Sequence, residues 1–177
     1  MAMHPDPRWR NIAGGNSPAG HPQPMTPEGL QRLAEDWASI VADVPPFGGS
    51  ELLEQARSHA VHSWWDYELL VTACLVGLQA VEATFRQVLF PEAAESMPFR
   101  RLVDRAEAEG WFNTERADII RAGVELRNRL SHPGGRSAFT LGMTDSIVRA
   151  CHLVVRDIST MKGQTAAPHA VHRNLTT

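Results

Sequence analysis

Three side chains near the end of one apolar segment can act on a phosphodiester: Arg127, Asn128 and His132, in the run Glu125-Leu126-Arg127-Asn128-Arg129-Leu130-Ser131-His132-Pro133. A guanidinium carries a permanent positive charge and a planar fork that matches phosphate oxygens. An imidazole titrates near neutral pH and can take or give a proton. The amide between them can orient either partner. Together they supply the minimum for cleaving a phosphodiester without a metal, and no other pair in the sequence does so.

Arg127 and His132 are five residues apart, about 500° around an ideal helix, so unbroken helix would not align them. Pro133 disfavours helical geometry at the residue before it. The chain is therefore expected to loosen near Ser131 and let His132 swing back beside the last turn. The negative end of the helix dipole would favour the protonated ring there. The alternative from spacing alone is structural: an arginine solvating a helix end and a histidine capping its last carbonyls.

Other candidate chemistries are thinner. His59-Ala60-Val61-His62 and His169-Ala170-Val171-His172 each offer two imidazoles, but zinc needs three or four ligands and no further ligand follows at a known spacing, so no metal is expected. Trp64-Trp65-Asp66-Tyr67 could stack bases, although such a cluster more often caps a packing interface or anchors a partner. Gly14-Gly15 and Gly134-Gly135 lack the spacing of a phosphate-cradling loop, and no local motif supports a serine or cysteine nucleophile.

The elements that must hold these groups read as helices. Thr26-Pro27-Glu28 carries a hydroxyl cap, a first-turn proline and an acid, and Leu30, Leu33, Trp37, Ile40, Val41 and Val44 follow at helical spacing. Ser50 is placed to cap a second helix bearing Leu52, Leu53 and Ala56. The stretch from about Asp66 to Phe90 reads as the longest helix and, being apolar on most sides, as the central one. A shorter helix with Phe99, Leu102, Val103 and Ala106 stops at Gly110. Thr114 opens the motif helix (Ile119, Gly123, Leu126, Leu130), and Asp145 opens the last, with Ile147, Val148, Cys151, Val154, Val155 and Ile158. No window alternates with period two. The expected fold is all-α, an up-and-down bundle of four to five main helices. It is divided as a disordered Pro- and Gly-rich leader over 1–25, a single helical domain over 26–163 and a flexible tail over 164–177.

The 177-residue chain has a formal net charge of −3, so it lacks the global basic field of a non-specific nucleic-acid binder. Within 100–136, however, eight arginines face six acids, a surplus of two. Lys162 is the only lysine, so arginine is this chain's cation throughout. The leader has no apolar h-region, no apolar run approaches a membrane span, and Cys74 and Cys151 read as structural thiols in a reducing compartment. A cytoplasmic location with no membrane partner is expected.

With the motif in its helical context, the sequence resembles the HEPN superfamily. Arg127-Asn128-Arg129-Leu130-Ser131-His132 is similar to that family's Arg-x(4–6)-His motif, including the polar residue after the arginine. The long helix with Leu78-Gln79-Ala80-Val81-Glu82 and the shorter Phe99-Arg100-Arg101-Leu102-Val103 helix precede it in the expected order. The resemblance covers roughly 60–160. It implies a metal-independent endoribonuclease without cofactors, working as a homodimer whose two motif helices meet in one cleft. On this chain His132 would act as general base or acid, Arg127 would stabilise charge on the phosphoryl oxygens, and Asn128 would orient histidine or phosphate. Some relatives also use an acid from the long helix, here Glu82, whose alternative role is to pair with Arg86 or Arg127. The implied setting is defence, a toxin–antitoxin pair or a stress response, with RNA as substrate and an antitoxin or defence-system protein as a possible partner. The subgroup controlled by nucleotidyltransferases has a tyrosine two residues after the histidine; here that place is Gly134. The other reading is a non-catalytic HEPN-fold dimer that binds a nucleotide, RNA or a protein.

Overall fold

Apolar residues at helical spacing form six α-helices in a computed structural model that describes residues 4–16, 22–46, 49–93, 96–130 and 139–165. They are α1 (Pro27–Ile40), α2 (Ser50–His62), α3 (Leu69–Thr84), α4 (Phe99–Ala108), α5 (Thr114–Leu130) and α6 (Leu141–Thr165). All but the 10-residue α4 are 13 residues or longer, so the architecture is the expected all-α bundle. The core is one continuous cluster drawn from every helix. The central helix α3 packs against α2, α5 and α6, and Leu70, Ala73, Cys74, Gly77, Leu78, Ala80 and Val81 on it are buried. With its continuation it is also long and apolar enough to cross a membrane by length and composition: Leu69–Leu89 has a mean hydropathy of 1.4. This corrects the expectation that no run approaches a span. Half of that stretch is buried against the protein's own helices, which is the behaviour of a core helix.

The helix starts follow local chemistry, with three substitutions of role, the first at α2, where Gly49 holds the cap position and Ser50 is the first helical residue. Thr26 Oγ1 accepts from the Gly29 N–H at 3.1 Å, as its position suggests. Asn113, not Thr114, caps α5 by accepting from the Arg116 N–H at 3.1 Å. Helix α6 begins four residues before Asp145, and Thr140 Oγ1 accepts from the Met143 N–H at 3.2 Å. Asp145 instead accepts from Trp37 Nε1 at 2.9 Å, tying α6 to α1. At 25 residues α6, rather than the central helix, is the longest.

Helix α3 does not simply end. Its last turn widens into a π-helical turn over Phe85–Leu89, closed by the Phe90 N–H donating to the Phe85 carbonyl at 2.8 Å. That turn turns Phe85 inward against Phe90, Phe99 and Phe112, stacked on the last at 5.9 Å. Phe99 opens α4 and Phe112 follows its end. One ring just past the end of α3 therefore touches the start of α4 and the residues that follow its end.

The leader departs from expectation where it is described. Residues Pro7–Asn11 form a 3-10 turn, and Ala13–Asn16 (β1) pairs antiparallel with Pro22–Pro24 (β2). Trp9 is 1% exposed. Its indole donates to the Ser63 carbonyl at 2.7 Å and its ring lies against Trp64 and Tyr67. Asp6 and Arg8 tie the same segment to Tyr67 and Glu68. Burying an indole with its N–H satisfied is a large gain, and the ties from Asp6 and Arg8 add to it in ordering this Pro- and Gly-rich segment. Gly14 is required by close approach: a Cβ there would sit 2.7 Å from Met25 Cα. The expected tail begins inside α6, which runs to Thr165; residues 166–177 lie outside the described residues.

Candidate functional site

Helices α4 and α5 lie antiparallel, joined through the Gly110 turn, where φ is +78° and a glycine is favoured. Their seam is stitched by charge. Arg100 on α4 pairs with Glu125 on α5 at 2.8 Å. Arg121 on α5 holds Asp104 at 2.8 Å, Asp118 at 2.9 Å and Glu107. The Arg121 hydrogen bond holds the Glu107 carboxyl below the usual range, and the Trp111 indole together with Arg105 does the same for Glu109.

Because Arg121 and Glu125 face α4, Asn128, three residues further on, shares that face by helical spacing; it is exposed. Arg127 is turned the other way, toward α3. Its Nη1 lies 3.2 Å from Glu82 Oε2. The other oxygen of the same carboxylate accepts from Arg86 Nη2 at 2.8 Å. Arg86 Nη2 also donates to the Met97 carbonyl at 2.8 Å, just before α4 begins. Glu82 is thus a hub between two arginines from different helices, one-fifth exposed, while Arg127 remains 39% exposed at the last turn of α5. The structure brings together Arg127 and Glu82, while Asn128 is exposed on the α4 side of the same helix end. His132 lies outside the described residues.

This placement settles what Glu82 does in the resting fold: it pairs with Arg86 and Arg127 together. An acid shared in this way directs the fork of Arg127, since one carboxylate oxygen faces each guanidinium.

The pairing also locates the surplus of positive charge. At the motif end of the α4–α5 pair, five arginines (Arg86, Arg100, Arg101, Arg127, Arg129) face two acids (Glu82, Glu125), a surplus of 5 − 2 = 3. Toward the Gly110 turn, within residues 104–121, three arginines (Arg105, Arg116, Arg121) stand among five acids (Asp104, Glu107, Glu109, Glu115, Asp118), a balance of 3 − 5 = −2. Arg101 and Arg129 are exposed and make no ion pair among the described residues.

The remaining candidates resolve differently. His62 Nδ1 donates to the Ser58 carbonyl at 2.7 Å, which occupies one ring nitrogen of the first histidine pair. The second pair lies outside the described residues. Among the described residues no group of three His, Cys, Asp or Glu side chains is placed to hold a metal. Trp64 and Tyr67 pack against Trp9, so the aromatic cluster anchors the chain's own N-terminal segment. Cys74 and Cys151 are buried and free, the former pushed up to about 12 by burial.

One polar residue within the core had no reading in the sequence. His152 on α6 is fully buried, donates through Nδ1 to the Val148 carbonyl at 2.8 Å and accepts through Nε2 from Arg57 Nη1 at 3.0 Å. Burial, with the backbone carbonyl opposing it and Arg57 and Arg149 adding to it, pushes the imidazole down to about 4. The available signal was its position, four residues after Val148 and three before Val155 on an apolar stripe, with Arg57 equally placed between Leu53 and Ala60 on α2. A groove of about 550 Å³ lined by Ile12, Met25, Arg32, Tyr67 and Asp145 lies against the N-terminal hairpin. It includes none of the motif residues.

Compared with family models, with curated proteins and with solved structures, the chain matches none.

Proposed function

We propose that the protein is a metal-independent endoribonuclease of the HEPN type, a homodimer in which two motif helices meet and each protomer lends an arginine and a histidine to a shared cleft. The observation that carries this reading is the meeting of Glu82 with Arg127 at a partly exposed helix end that also bears exposed Asn128. Pairing with Arg86 and Arg127 is the alternative role of Glu82; the resemblance implies an acid of the long helix used at the same site, and the contact keeps Glu82 within reach of Arg127. A surplus of three positive charges around it suits a polyanionic substrate.

In this mechanism His132, as base, takes the proton of a ribose 2′-OH. The 2′ oxygen forms a bond to phosphorus as the bond to the 5′ oxygen breaks, and an acid protonates that leaving oxygen. The products are a 2′,3′-cyclic phosphate and a 5′-hydroxyl. Arg127 stabilises charge growing on the non-bridging oxygens, the largest kind of contribution a site of this type makes. Glu82 positions Arg127, and Asn128 orients phosphate or imidazole. The biological setting we propose is cytoplasmic: defence, toxin–antitoxin or stress response, with the substrate RNA presented or the enzyme restrained by a partner protein. The net charge of −3 favours the second reading, a dimer that binds RNA, a nucleotide or a protein without cleaving it.

The test is incubation of the purified protein with RNA in excess chelator, beside His132→Ala. Cleavage that resists the chelator and vanishes in the variant supports the reading. Cleavage surviving the substitution would remove His132 from the site. Binding with no cleavage of any RNA would favour the non-catalytic module.

A further inference from the structure

Arg100 stands apart from the other paired arginines at the seam. Among the described residues its one ion-pair partner is Glu125, and both side chains are about half exposed. By contrast Arg121 is 19% exposed and holds three carboxylates. A pair in water is screened and weak, so Arg100 is exchangeable where Arg121 is fixed. Its position gives that exchange a use. Glu125 lies one turn before Asn128 and Arg129 on α5, so the bond from Arg100 places an α4 guanidinium against the Asn128 face of the motif helix. Arg101, the next residue on α4, is exposed and makes no ion pair among the described residues.

We infer that Arg100 is a second phosphate contact of the Arg127 site, held by Glu125 until the backbone of a single-stranded RNA displaces the carboxylate. This rests on the ribonuclease reading above and extends its substrate contact from α5 to α4. A phosphodiester offers Arg100 two oxygens in the bidentate geometry that a guanidinium favours. Glu125, once released, stays solvated at the edge. Arg101 and Arg129 flank the same track. Arg127 and Asn128 would then hold the reacting phosphate while Arg100 holds a neighbouring one, which fixes the register of the strand before any base is read. Glu125 acts as a competitor for that seat: it lowers affinity for polyanions in general and keeps the end of the bundle from holding any anion that passes.

The experiment uses the full chain and a labelled single-stranded RNA with 2′-O-methyl groups, which has no 2′-OH to attack and so reports binding alone. Fluorescence anisotropy over a salt series is read for wild type, Arg100→Ala, Glu125→Gln and Arg105→Ala, with circular dichroism confirming that each is folded. Arg100→Ala is expected to weaken binding roughly tenfold for every sequence and to reduce the salt slope by about 1. Glu125→Gln is expected to strengthen binding about threefold, and Arg105→Ala to leave it unchanged. Wild-type affinity in Arg100→Ala, or no gain in Glu125→Gln, would overturn the assignment. The two readings fail separately: cleavage of unmodified RNA that depends on His132 while Arg100→Ala binds normally would remove only Arg100. Absence of both cleavage and binding in the wild type would overturn both.

Discussion

The two ends of the α4–α5 pair are built from the same residue types and behave as opposites. Near the Gly110 turn, arginine is consumed by structure: Arg121 holds three carboxylates, Arg105 pairs with Glu92 and Glu109 while lying over the Phe90 ring, and Arg116 reaches across to Asp157 on α6. At the other end, arginine outnumbers acid, the pairs are fewer, and Arg101 and Arg129 stand exposed. Counting charges along the chain blurs this contrast, because it averages a closed network with an open one. What marks a site is not the number of cations but how many remain available to an anion that arrives from outside.

The first way to break the comparison is to remove what supports both ends. Phe85 touches Phe99 at the start of α4 and Phe112 just past its end, so Phe85→Ala should cost about 3–5 kcal/mol, as a truncated buried aromatic does. Chemical denaturation checks this. A cost below about 1 kcal/mol would mean that the ends are positioned independently.

Acid separates regions of the molecule. The folded imidazole of His152 lies at about 4 against 6.5 for the free group. Between these values the unfolded chain binds the extra proton, so stability falls as pH drops through this window and levels off below about 4. The full depression corresponds to about 3 kcal/mol. Glu107 and Glu109 have lowered values, so their contribution is present above the ordinary carboxylate range and is lost only as pH falls through their folded values. Denaturation midpoints from pH 7 to pH 3 should therefore show the loss between 6.5 and 4 disappear in His152→Gln and persist in Glu107→Gln. Equal profiles for the two variants would contradict the assignment.

Smaller effects sharpen the contrast. Glu82→Gln keeps the shape of the hub but removes its charge; cleavage should fall about tenfold through misdirection of Arg127, within the range of a lost charged hydrogen bond. Thermal stability should change by no more than about 2 kcal/mol. A cleavage rate equal to wild type would limit Glu82 to a structural role. Glu125→Gln, at an exposed pair, should alter stability by less than about 1 kcal/mol, whereas Arg121→Gln should cost visibly more. Similar costs would erase the distinction between the closed and open ends.

The helices were legible because apolar residues recur along them at 3.6 spacing, and Thr26 shows its cap plainly. The N-terminal segment was not, because its order rests on distant contacts: Trp9 closes over Ser63, Trp64 and Tyr67, Asp6 and Arg8 reach Tyr67 and Glu68, and nothing within residues 4–16 announces those partners. The shift of the α6 start to Leu141, capped by Thr140, has a similar cause, since Asp145 lies within the helix, where it accepts from Trp37 and Arg149. At the candidate site, Arg127 and Asn128 could be read from type and spacing, and Glu82 from its place on the long helix. That Glu82 serves two arginines at once depends on how α3 and α5 pack, where Gly123 lets Leu78 approach to about 3.0 Å of where a Cβ would stand. Such a crossing has no signature in either helix alone.

The central claim is that the arginine-rich end works on RNA while the acid-rich end only holds the fold. Chelator-resistant cleavage of single-stranded RNA, measured per folded protein for wild type, Arg127→Ala and Arg105→Ala, tests it most directly. The account predicts a loss of about 10²–10³-fold for Arg127→Ala, the size expected when a donor to developing negative charge is removed, and a change of no more than about twofold for Arg105→Ala. Full activity in Arg127→Ala, or equal losses in both, would contradict it.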